Sequence, residues 1–125
     1  MIRLLIADDE ALERETLADI VARRFEHEVT IETAENGRKA ADTAVLWGAD
    51  LILMDIQMPH MDGFEATRQI RKLPDPSIVN IPIVAMTANA FENDRQEALE
   101  AGMNDHIGKP IDTEKLRQVL ANMLK

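Results

Sequence analysis

Five short apolar runs alternate with segments of helical periodicity along this chain, and this alternation limits its fold more than any other feature. Short apolar runs that are nearly continuous are typical of strands buried on both faces. Such strands, separated by helices of about 11 to 15 residues, indicate a parallel sheet with helices on both sides. The sequence therefore predicts an α/β fold in a single domain over residues 1–125. The predicted strands are residues 2–7, 29–33, 51–54, 83–86 and 105–107.

A helix is predicted after each strand. The third begins at Asp62, where Glu65 is a capping-box partner, and the fourth covers residues 90–101. Because Pro74 and Pro76 cannot continue a helix, residues 73–82 are expected to form an exposed connection. The residues expected to face the sheet are Leu12, Thr16, Leu17, Ile20, Val21 and Phe25 in the first helix, Ala40, Ala41, Ala44 and Val45 in the second, Ala66, Ile70 and Leu73 in the third, and Leu116, Val119, Leu120 and Met123 in the last.

Composition excludes several classes of function. The chain has no cysteine, so neither disulfides nor thiolate ligands for zinc are expected. The 23 acidic residues outnumber the 14 basic ones, and the net charge of -9 disfavours binding to a phosphate backbone. No apolar stretch approaches the roughly 20 residues of a membrane span, and the N-terminal run is too short for a signal peptide. We therefore expect a cytoplasmic protein that binds neither nucleic acid nor membrane.

Polar side chains follow the predicted strands where each strand ends. Asp8 and Asp9 follow the first strand, Asp55 the third, Thr87 the fourth and Lys109 the fifth. In open α/β sheets the carboxyl ends of the strands form the edge at which functional groups collect. Taken singly, each residue has an ordinary explanation, since the aspartates and the threonine can cap helices and the lysine can be a solvated loop residue. Independent caps do not account for all five, so we expect one shared site.

The chemistry of these residues indicates a phosphoryl group. Three carboxylates held close together repel one another unless a cation lies between them, and hard oxygen ligands without histidine or cysteine select Mg²⁺ or a similar ion. A divalent cation, an ammonium group and a hydroxyl can together neutralise and hydrogen-bond phosphoryl oxygens. Asp55 can then act as a nucleophile and form an aspartyl phosphate. Phosphoryl transfer requires little more than this positioning and charge neutralisation.

Four segments carry a resemblance to a known family: ADDE at 7–10, DIQMPHMDG at 55–63, MTANA at 86–90 and AGMNDHIGKPI at 101–111. With these segments the chain resembles, over essentially its whole length, the receiver domain of two-component response regulators. The MTANA and GKPI segments look most like receivers attached to hybrid sensor histidine kinases. The segment LIADDEALERETL is more similar to free-standing response regulators, so both settings stay open.

The resemblance implies a (βα)5 flavodoxin-like fold with strand order 2-1-3-4-5. It also implies that Asp55 is the phosphoacceptor in a reaction that depends on Mg²⁺ or Mn²⁺. In the metal site that the family pattern implies, Asp9 binds the ion directly and Asp8 binds it through water. Asp55 and the backbone carbonyl of Gln57 complete the protein ligands.

The family pattern also assigns roles around the phosphoryl group. By resemblance, Thr87 and Lys109 contact this group, and a cis peptide bond before Pro110 aims the lysine inward. Gln57 and Asn89 flank the path of the attacking water, where they are expected to tune the lifetime of the phosphorylated state.

One position departs from the family pattern. Three residues before Lys109 the family usually has Tyr or Phe, a ring that swings inward when Thr87 is drawn to the phosphoryl group; this chain has His106. An imidazole can serve as a smaller and more polar switch ring, and its titration near neutrality would then make signalling depend on pH. The alternative is that His106 is an exposed residue of the fifth strand with no role in switching.

The resemblance implies a signalling switch that takes a phosphoryl group from a phosphohistidine of a sensor histidine kinase or a histidine phosphotransfer domain. Such a chain catalyses its own phosphorylation and dephosphorylation and is not an enzyme with a separate substrate. Phosphorylation is expected to change the face formed by the fourth helix, the fifth strand and the fifth helix, to which an output partner that the sequence does not identify responds.

Other functions on similar folds fit the residues less well. A phosphorylation-independent protein-binding module is the main alternative, and a missing Asp55 or Lys109 would have favoured it. A flavodoxin is disfavoured because acidic residues follow the first strand where its phosphate loop would lie. A haloacid-dehalogenase-type phosphatase requires a second aspartate where Gln57 stands, and the GxxxxGK motif of P-loop proteins is absent from the sequence.

Overall fold

The parallel sheet predicted from the sequence is present in the computed structural model, which describes residues 2–59, 61–87, 92–109 and 111–123. The strands in these residues are β1 (Ile2–Ala7), β2 (Val29–Ala34), β3 (Leu51–Asp55), β4 (Ile83–Thr87) and β5 (Asp105–Gly108). They form one five-stranded parallel sheet in the order β2-β1-β3-β4-β5. The α/β class and the implied strand order are therefore confirmed.

Helices cover both faces of this sheet. The longer helices are α1 (Ala11–Arg24), α2 (Gly37–Thr43), α3 (Gly63–Arg71), α4 (Glu92–Ala101) and α5 (Thr113–Met123). Alternate strand residues face opposite layers, so that Leu4 and Ile6 pack with α1 and α5, whereas Leu5 and Ala7 pack with α2, α3 and α4. The result is a three-layer sandwich whose middle strands are apolar on both faces. None of the helices in the described segments is long and apolar enough to cross a membrane.

Helix α1 packs through a narrower row of residues than the sequence predicts. Leu17, Val21 and Phe25, spaced four residues apart, are buried against the sheet. The prediction that the neighbouring row also faces the sheet is wrong, since Leu12 is 78% exposed. This exposed row, which lines a surface groove beside Lys109 and Ile111, comprises Leu12, Thr16 and Ile20. Helical spacing alone does not show which of two adjacent rows meets the sheet.

Two other predictions about burial are corrected. Helix α2 continues into a π-helical turn, Ala44–Gly48, which ends at Gly48 as predicted, with a φ of +75° there. In this wider turn Val45 is exposed, so its predicted burial is wrong. The connection over residues 73–82 is less exposed than predicted, because it contains a one-turn helix, Pro76–Val79, and buries Ile81.

The start of α3 is fixed against the end of β3. Asp62 is the N-cap, as predicted, and its Oδ1 accepts the N–H of Glu65 at 2.8 Å. The next residue must be glycine, because a Cβ at Gly63 would overlap the backbone carbonyl of Asp55. The N–H of Gly63 also donates to the carbonyl of Ile56 at 3.2 Å. These contacts hold the loop that follows Asp55.

Arg71, the last residue of α3, donates hydrogen bonds to the segments that precede β4 and β5. Its Nε donates to the carbonyl of Gly102 at 2.9 Å, and its Nη2 donates to Asn104 Oδ1 at 2.9 Å. Its Nη1 donates to the carbonyls of Val79 and Ile81, both at 2.7 Å. The half-buried guanidinium thus joins α3 to the connection before β4 and to the segment between α4 and β5.

We predict that Arg71→Ala lowers the free energy of unfolding by about 2–3 kcal/mol, because four hydrogen bonds from a charged donor are lost, three of them to backbone carbonyls. Urea denaturation followed by circular dichroism measures the change. Arg68→Ala on the same helix is the matched control, since Arg68 makes an exposed ion pair with Glu65, and its effect is expected to stay within about 0.5 kcal/mol. Equal stabilities of the two variants would contradict the role of Arg71.

Candidate functional site

The carboxyl ends of four strands meet at one edge of the sheet and bring the predicted polar residues together. Asp8 is the first residue after β1, Asp55 and Thr87 are the last residues of β3 and β4, and Lys109 is the first after β5. Asp8, Asp55 and Thr87 are buried, and Asp9 is more exposed. The predicted convergence of these five residues is therefore confirmed.

The ammonium group of Lys109 is the centre of the site. Its Nζ donates to Asp8 Oδ2 at 3.1 Å, to Asp55 Oδ2 at 3.0 Å and to Glu13 Oε2 at 2.9 Å. Its backbone N–H donates to the carbonyl of Thr87 at 2.8 Å. Because the side chain is only 18% exposed, the alternative that Lys109 is a solvated loop lysine is wrong.

Backbone N–H groups orient the two buried carboxylates. Asp8 Oδ1 accepts the N–H of Glu10 at 3.0 Å, and Asp55 Oδ1 accepts the N–H of Gln57 at 3.1 Å. In each residue the other carboxylate oxygen contacts Lys109. Each aspartate is therefore held at two points, and one oxygen of each is directed into the site.

Asp8, Asp9 and Asp55 form an acidic cluster that fits a divalent cation. One carboxylate oxygen from each lies within 4.8 Å of the others. Within the described part of the chain this cluster contains neither imidazole nor thiolate, so its donor set suits Mg²⁺ better than zinc. Gln57 lines the same open cleft as Asp9, which places the loop with the fourth predicted ligand at the border of the cluster.

Burial changes the acid–base properties of the site. Desolvation raises the pKa of Asp55 from 3.8 to about 6, against the stabilising effects of the Gln57 N–H and of Lys109. Burial alone would lower the pKa of Lys109, but its hydrogen bonds to Glu13, Asp55 and Asp8 outweigh this effect, and the pKa is raised. The lysine is therefore cationic at neutral pH, and the buried carboxylate of Asp55 takes up a proton more readily than an exposed one.

The other site residues predicted from the sequence are His106, Asn89 and Pro110. His106 is 24% exposed, and its Nδ1 is 3.8 Å from a carboxylate oxygen of Asp105. It lines a small cavity with residues of α4, among them Arg95 and Leu99, so this β5 residue faces a helix and is not on an open surface. Asn89 and Pro110 are outside the described residues, and the roles predicted for them stay predictions.

Sequence reasoning missed two residues of α1 that contact the site. Glu13 binds the ammonium of Lys109, and the Nη1 of Arg14 donates to the backbone carbonyl of Asp8 at 2.9 Å. The available signal was the position of both residues in the first turn of a helix that begins just after Asp8. An acid at that position is also favoured by the helix dipole, so the sequence did not distinguish a site residue from an ordinary one.

Comparison with known proteins identifies a family and several relatives that this chain resembles. Residues 4–121 match the family described as the response regulator receiver domain. Hybrid signal transduction histidine kinase B of Dictyostelium discoideum is 43% identical over an alignment of 103 residues that covers 75% of this chain and 5% of that protein. The signal transduction histidine-protein kinase BarA of Escherichia coli is 34% identical over 117 residues, which are 94% of this chain and 12% of that protein. The chain thus spans a small part of these relatives.

Solved structures share the whole fold. The chemotaxis protein CheY4 of Vibrio cholerae superposes with a TM-score of 0.88 at 27% identity and with 99% of each chain covered. The receiver domain of the sensor histidine kinase PA1611 of Pseudomonas aeruginosa, with magnesium coordinated in its active-site cleft, gives 0.84 at 32% identity, covering 98% of this chain and 96% of that one. The Saccharomyces cerevisiae Ssk1 receiver domain, solved with the histidine phosphotransfer protein Ypd1, gives 0.86 at 29% identity, covering 98% and 88%.

The raised pKa of Asp55 predicts how Asp55→Asn changes stability in metal-free buffer. The folded protein holds the Asp55 proton up to about pH 6 and the unfolded chain only to about pH 3.8, so the wild type loses stability as the pH rises through this range. The asparagine variant does not titrate and is expected to be more stable than wild type by about 1–2 kcal/mol at pH 7.5, with no such gain at pH 3.5.

Urea denaturation at both pH values, with a chelator present, measures this difference. Asp42→Asn is the matched control, because it removes one negative charge from an exposed position on α2. A stability gain of Asp55→Asn that is the same at both pH values, or no larger than that of the control, would contradict the assignment.

Proposed function

This chain belongs to the response regulator receiver domain family, and from that premise we propose that it is a phosphorylation-controlled switch with Asp55 as its acceptor. The observation that supports this proposal best is the placement of the Asp55 carboxylate at the end of β3 with the ammonium of Lys109 at 3.0 Å. A nucleophilic oxygen and a cation that can neutralise phosphoryl oxygens thus lie side by side. We further propose that residues 1–125 act as one receiver domain.

The proposed reaction is a transfer between two protein groups. An Asp55 carboxylate oxygen attacks the phosphorus of a phosphohistidine, a new O–P bond forms, and the N–P bond breaks. The histidine leaves with the electron pair of that bond and takes up a proton from solvent. During transfer Lys109 and Thr87 hold the phosphoryl oxygens, because Thr87 ends the strand next to β3 and the ammonium of Lys109 reaches Asp55 from the end of β5.

Asp8, Asp9, Asp55 and the carbonyl of Gln57 are the residues that would hold Mg²⁺ or Mn²⁺. The ion, when bound, neutralises charge on the phosphoryl oxygens. The chemistry of the three clustered carboxylates supports this assignment. The magnesium in the related PA1611 receiver supports it as well.

The same residues support reversal by water. Attack of water on phosphorus forms a new O–P bond, breaks the Asp55 O–P bond and releases inorganic phosphate, so that the carboxylate is restored. We propose that the side chains of Gln57 and Asn89 tune this step, and therefore the lifetime. In both half-reactions the chain acts on its own aspartate and does not turn over a separate substrate.

We propose a sensor histidine kinase or a histidine phosphotransfer domain as the donor. The Ssk1 receiver was solved with such a phosphotransfer protein, and the two relatives compared above are histidine kinases. An apolar groove of about 360 Å³ next to Lys109 supports docking of a protein, because Leu12, Ile20, Met86 and Ile111 line it. The proposed location is the cytoplasm, where ATP-dependent kinases phosphorylate histidine.

We propose that the phosphorylated state is recognised through α4, β5 and α5. Thr87 ends β4 and pairs with Gly108 in β5, so a shift of its hydroxyl towards the phosphoryl group is transmitted to that strand. His106 lies in β5 against α4 and is the proposed switch ring. The charged groups that face it within the described residues are Asp105 from its own strand and Arg95 from α4.

The acceptor is tested by incubation with acetyl phosphate or phosphoramidate and Mg²⁺, followed by intact-mass measurement. The wild type is expected to gain about 80 Da, the mass of one phosphoryl group, and Asp55→Asn is expected to gain nothing. Addition of a chelator should abolish the gain, and Asp9→Asn should require more Mg²⁺ for the same rate. A gain that persists in Asp55→Asn would contradict Asp55 as the acceptor, and a gain that never occurs in the wild type would favour a phosphorylation-independent binding module.

The switch ring is tested by NMR on His106→Ala and His106→Tyr. Phosphorylation is expected to shift the amide signals of residues 92–109 in the wild type, with different amplitudes at pH 6 and pH 8. His106→Ala should reduce the shifts at both pH values, and His106→Tyr should restore them without the pH difference. Exposed His27 provides the control variant His27→Ala. Wild-type shifts in His106→Ala at both pH values would exclude His106 as the ring.

A further inference from the structure

We infer that Glu13 is a positioning residue that competes with the phosphoryl group for the ammonium of Lys109 and thereby limits the rate of phosphorylation. The inference rests on the proposed function, since it concerns how readily Lys109 reaches a phosphoryl oxygen. It deepens that function by adding a residue of α1 to the group that controls Asp55.

The hydrogen bonds of Lys109 are the first basis for this inference. An ammonium group has three N–H donors, and in the structure all three are used, by Asp8, Glu13 and Asp55. Lys109 can therefore contact a phosphoryl oxygen only if one of these carboxylates gives up its hydrogen bond. The identity of that carboxylate determines the cost of the exchange.

Burial and hydrogen bonding show that Glu13 is the carboxylate that leaves most easily. The side chains of Asp8 and Asp55 are 2% and 7% exposed, and each is fixed by a backbone N–H. Glu13 is 54% exposed, and its carboxylate makes no other hydrogen bond or ion pair among the residues that the structure describes. Water can solvate this carboxylate as soon as it leaves Lys109, whereas the buried aspartates would lose their charge partner without gaining water.

The consequence is a competition at one ammonium group. When a phosphoryl donor approaches, Lys109 exchanges Glu13 for a phosphoryl oxygen and keeps its contacts with the two aspartates. The work of breaking the exposed ion pair is added to the barrier for phosphorylation. Glu13 also adds a negative charge beside a site that receives an anionic donor. Both effects make the resting chain less reactive towards small phosphoryl donors.

The rate constant for phosphorylation by phosphoramidate in saturating Mg²⁺ tests the inference, with intact mass as the readout. Glu13→Gln is expected to raise this constant by about two- to five-fold, the ratio that corresponds to an exposed ion pair. Glu13→Asp keeps the charge but is one methylene shorter and cannot maintain the 2.9 Å contact, so it should also be faster than wild type. Glu15→Gln removes an exposed charge from the same helix and should leave the rate unchanged.

The outcomes separate contact from charge. If Glu13→Asp matches the wild type and only Glu13→Gln is faster, charge repulsion and not the contact with Lys109 controls the rate, and the inference is overturned. It is also overturned if Glu13→Gln matches the wild type, or if Glu15→Gln is accelerated as much as Glu13→Gln.

A second measurement needs no phosphorylation. The exchange of the Lys109 ammonium protons with water, followed by NMR on protein labelled at lysine nitrogen, should be faster in Glu13→Gln and Glu13→Asp than in wild type. Unchanged exchange overturns the inference even if phosphorylation occurs. If the wild type takes up no phosphoryl group but exchange is accelerated, the contact is confirmed, and the failure lies with the proposed function and the competition that rests on it.

Discussion

The contact of Lys109 with two buried carboxylates is the interaction on which the site depends. Asp8 and Asp55 lie at the end of an apolar sheet, where their charges are poorly hydrated and close to each other. An unpaired carboxylate in such a place costs several kcal/mol, so a cation must reach both. In the strand order β2-β1-β3-β4-β5, the end of β5 lies beyond β4 from β3. Lys109 bridges that gap while its backbone bonds to Thr87, and the parallel topology is therefore a condition for the site.

Helix α3 links this site to the segment between α4 and β5. Its first residue, Gly63, touches the backbone of Asp55, and its last residue, Arg71, binds Gly102 and Asn104 at the end of α4 and before β5. The C-terminal end of α4 is thus tied to the helix that supports the acceptor. The same end of α4 is also held by the apolar contacts of Ala98 and Ala101.

The strands and the strand ends follow from local sequence patterns and could be predicted. The contacts that long side chains make with residues distant in the sequence could not. The strands were recognisable because continuous apolar runs fit strands buried on both faces, and the topology then placed Asp55 and Lys109 at one edge. Helical spacing did not reveal that Leu12 is exposed, because two adjacent rows on α1 have the same period. The contacts of Glu13 and Arg71 depend on long side chains that meet residues distant in the sequence, and local sequence patterns do not distinguish such residues from ordinary helix residues.

The groove beside the exposed row of α1 has an apolar part and an ionic part. Leu12 and Ile20 form the apolar part of the groove, and Lys109 with its carboxylates forms the ionic part. Under the proposed function, a small phosphoryl donor interacts only with the ionic part, and the contact between Glu13 and Lys109 slows its reaction. A protein donor also buries the apolar part of the groove. Binding energy gained there, away from the reacting atoms, can offset the loss of the contact between Glu13 and Lys109. An exposed leucine and a competing glutamate on one helix would then act together, so that phosphoryl groups are accepted from a docked partner in preference to free donors.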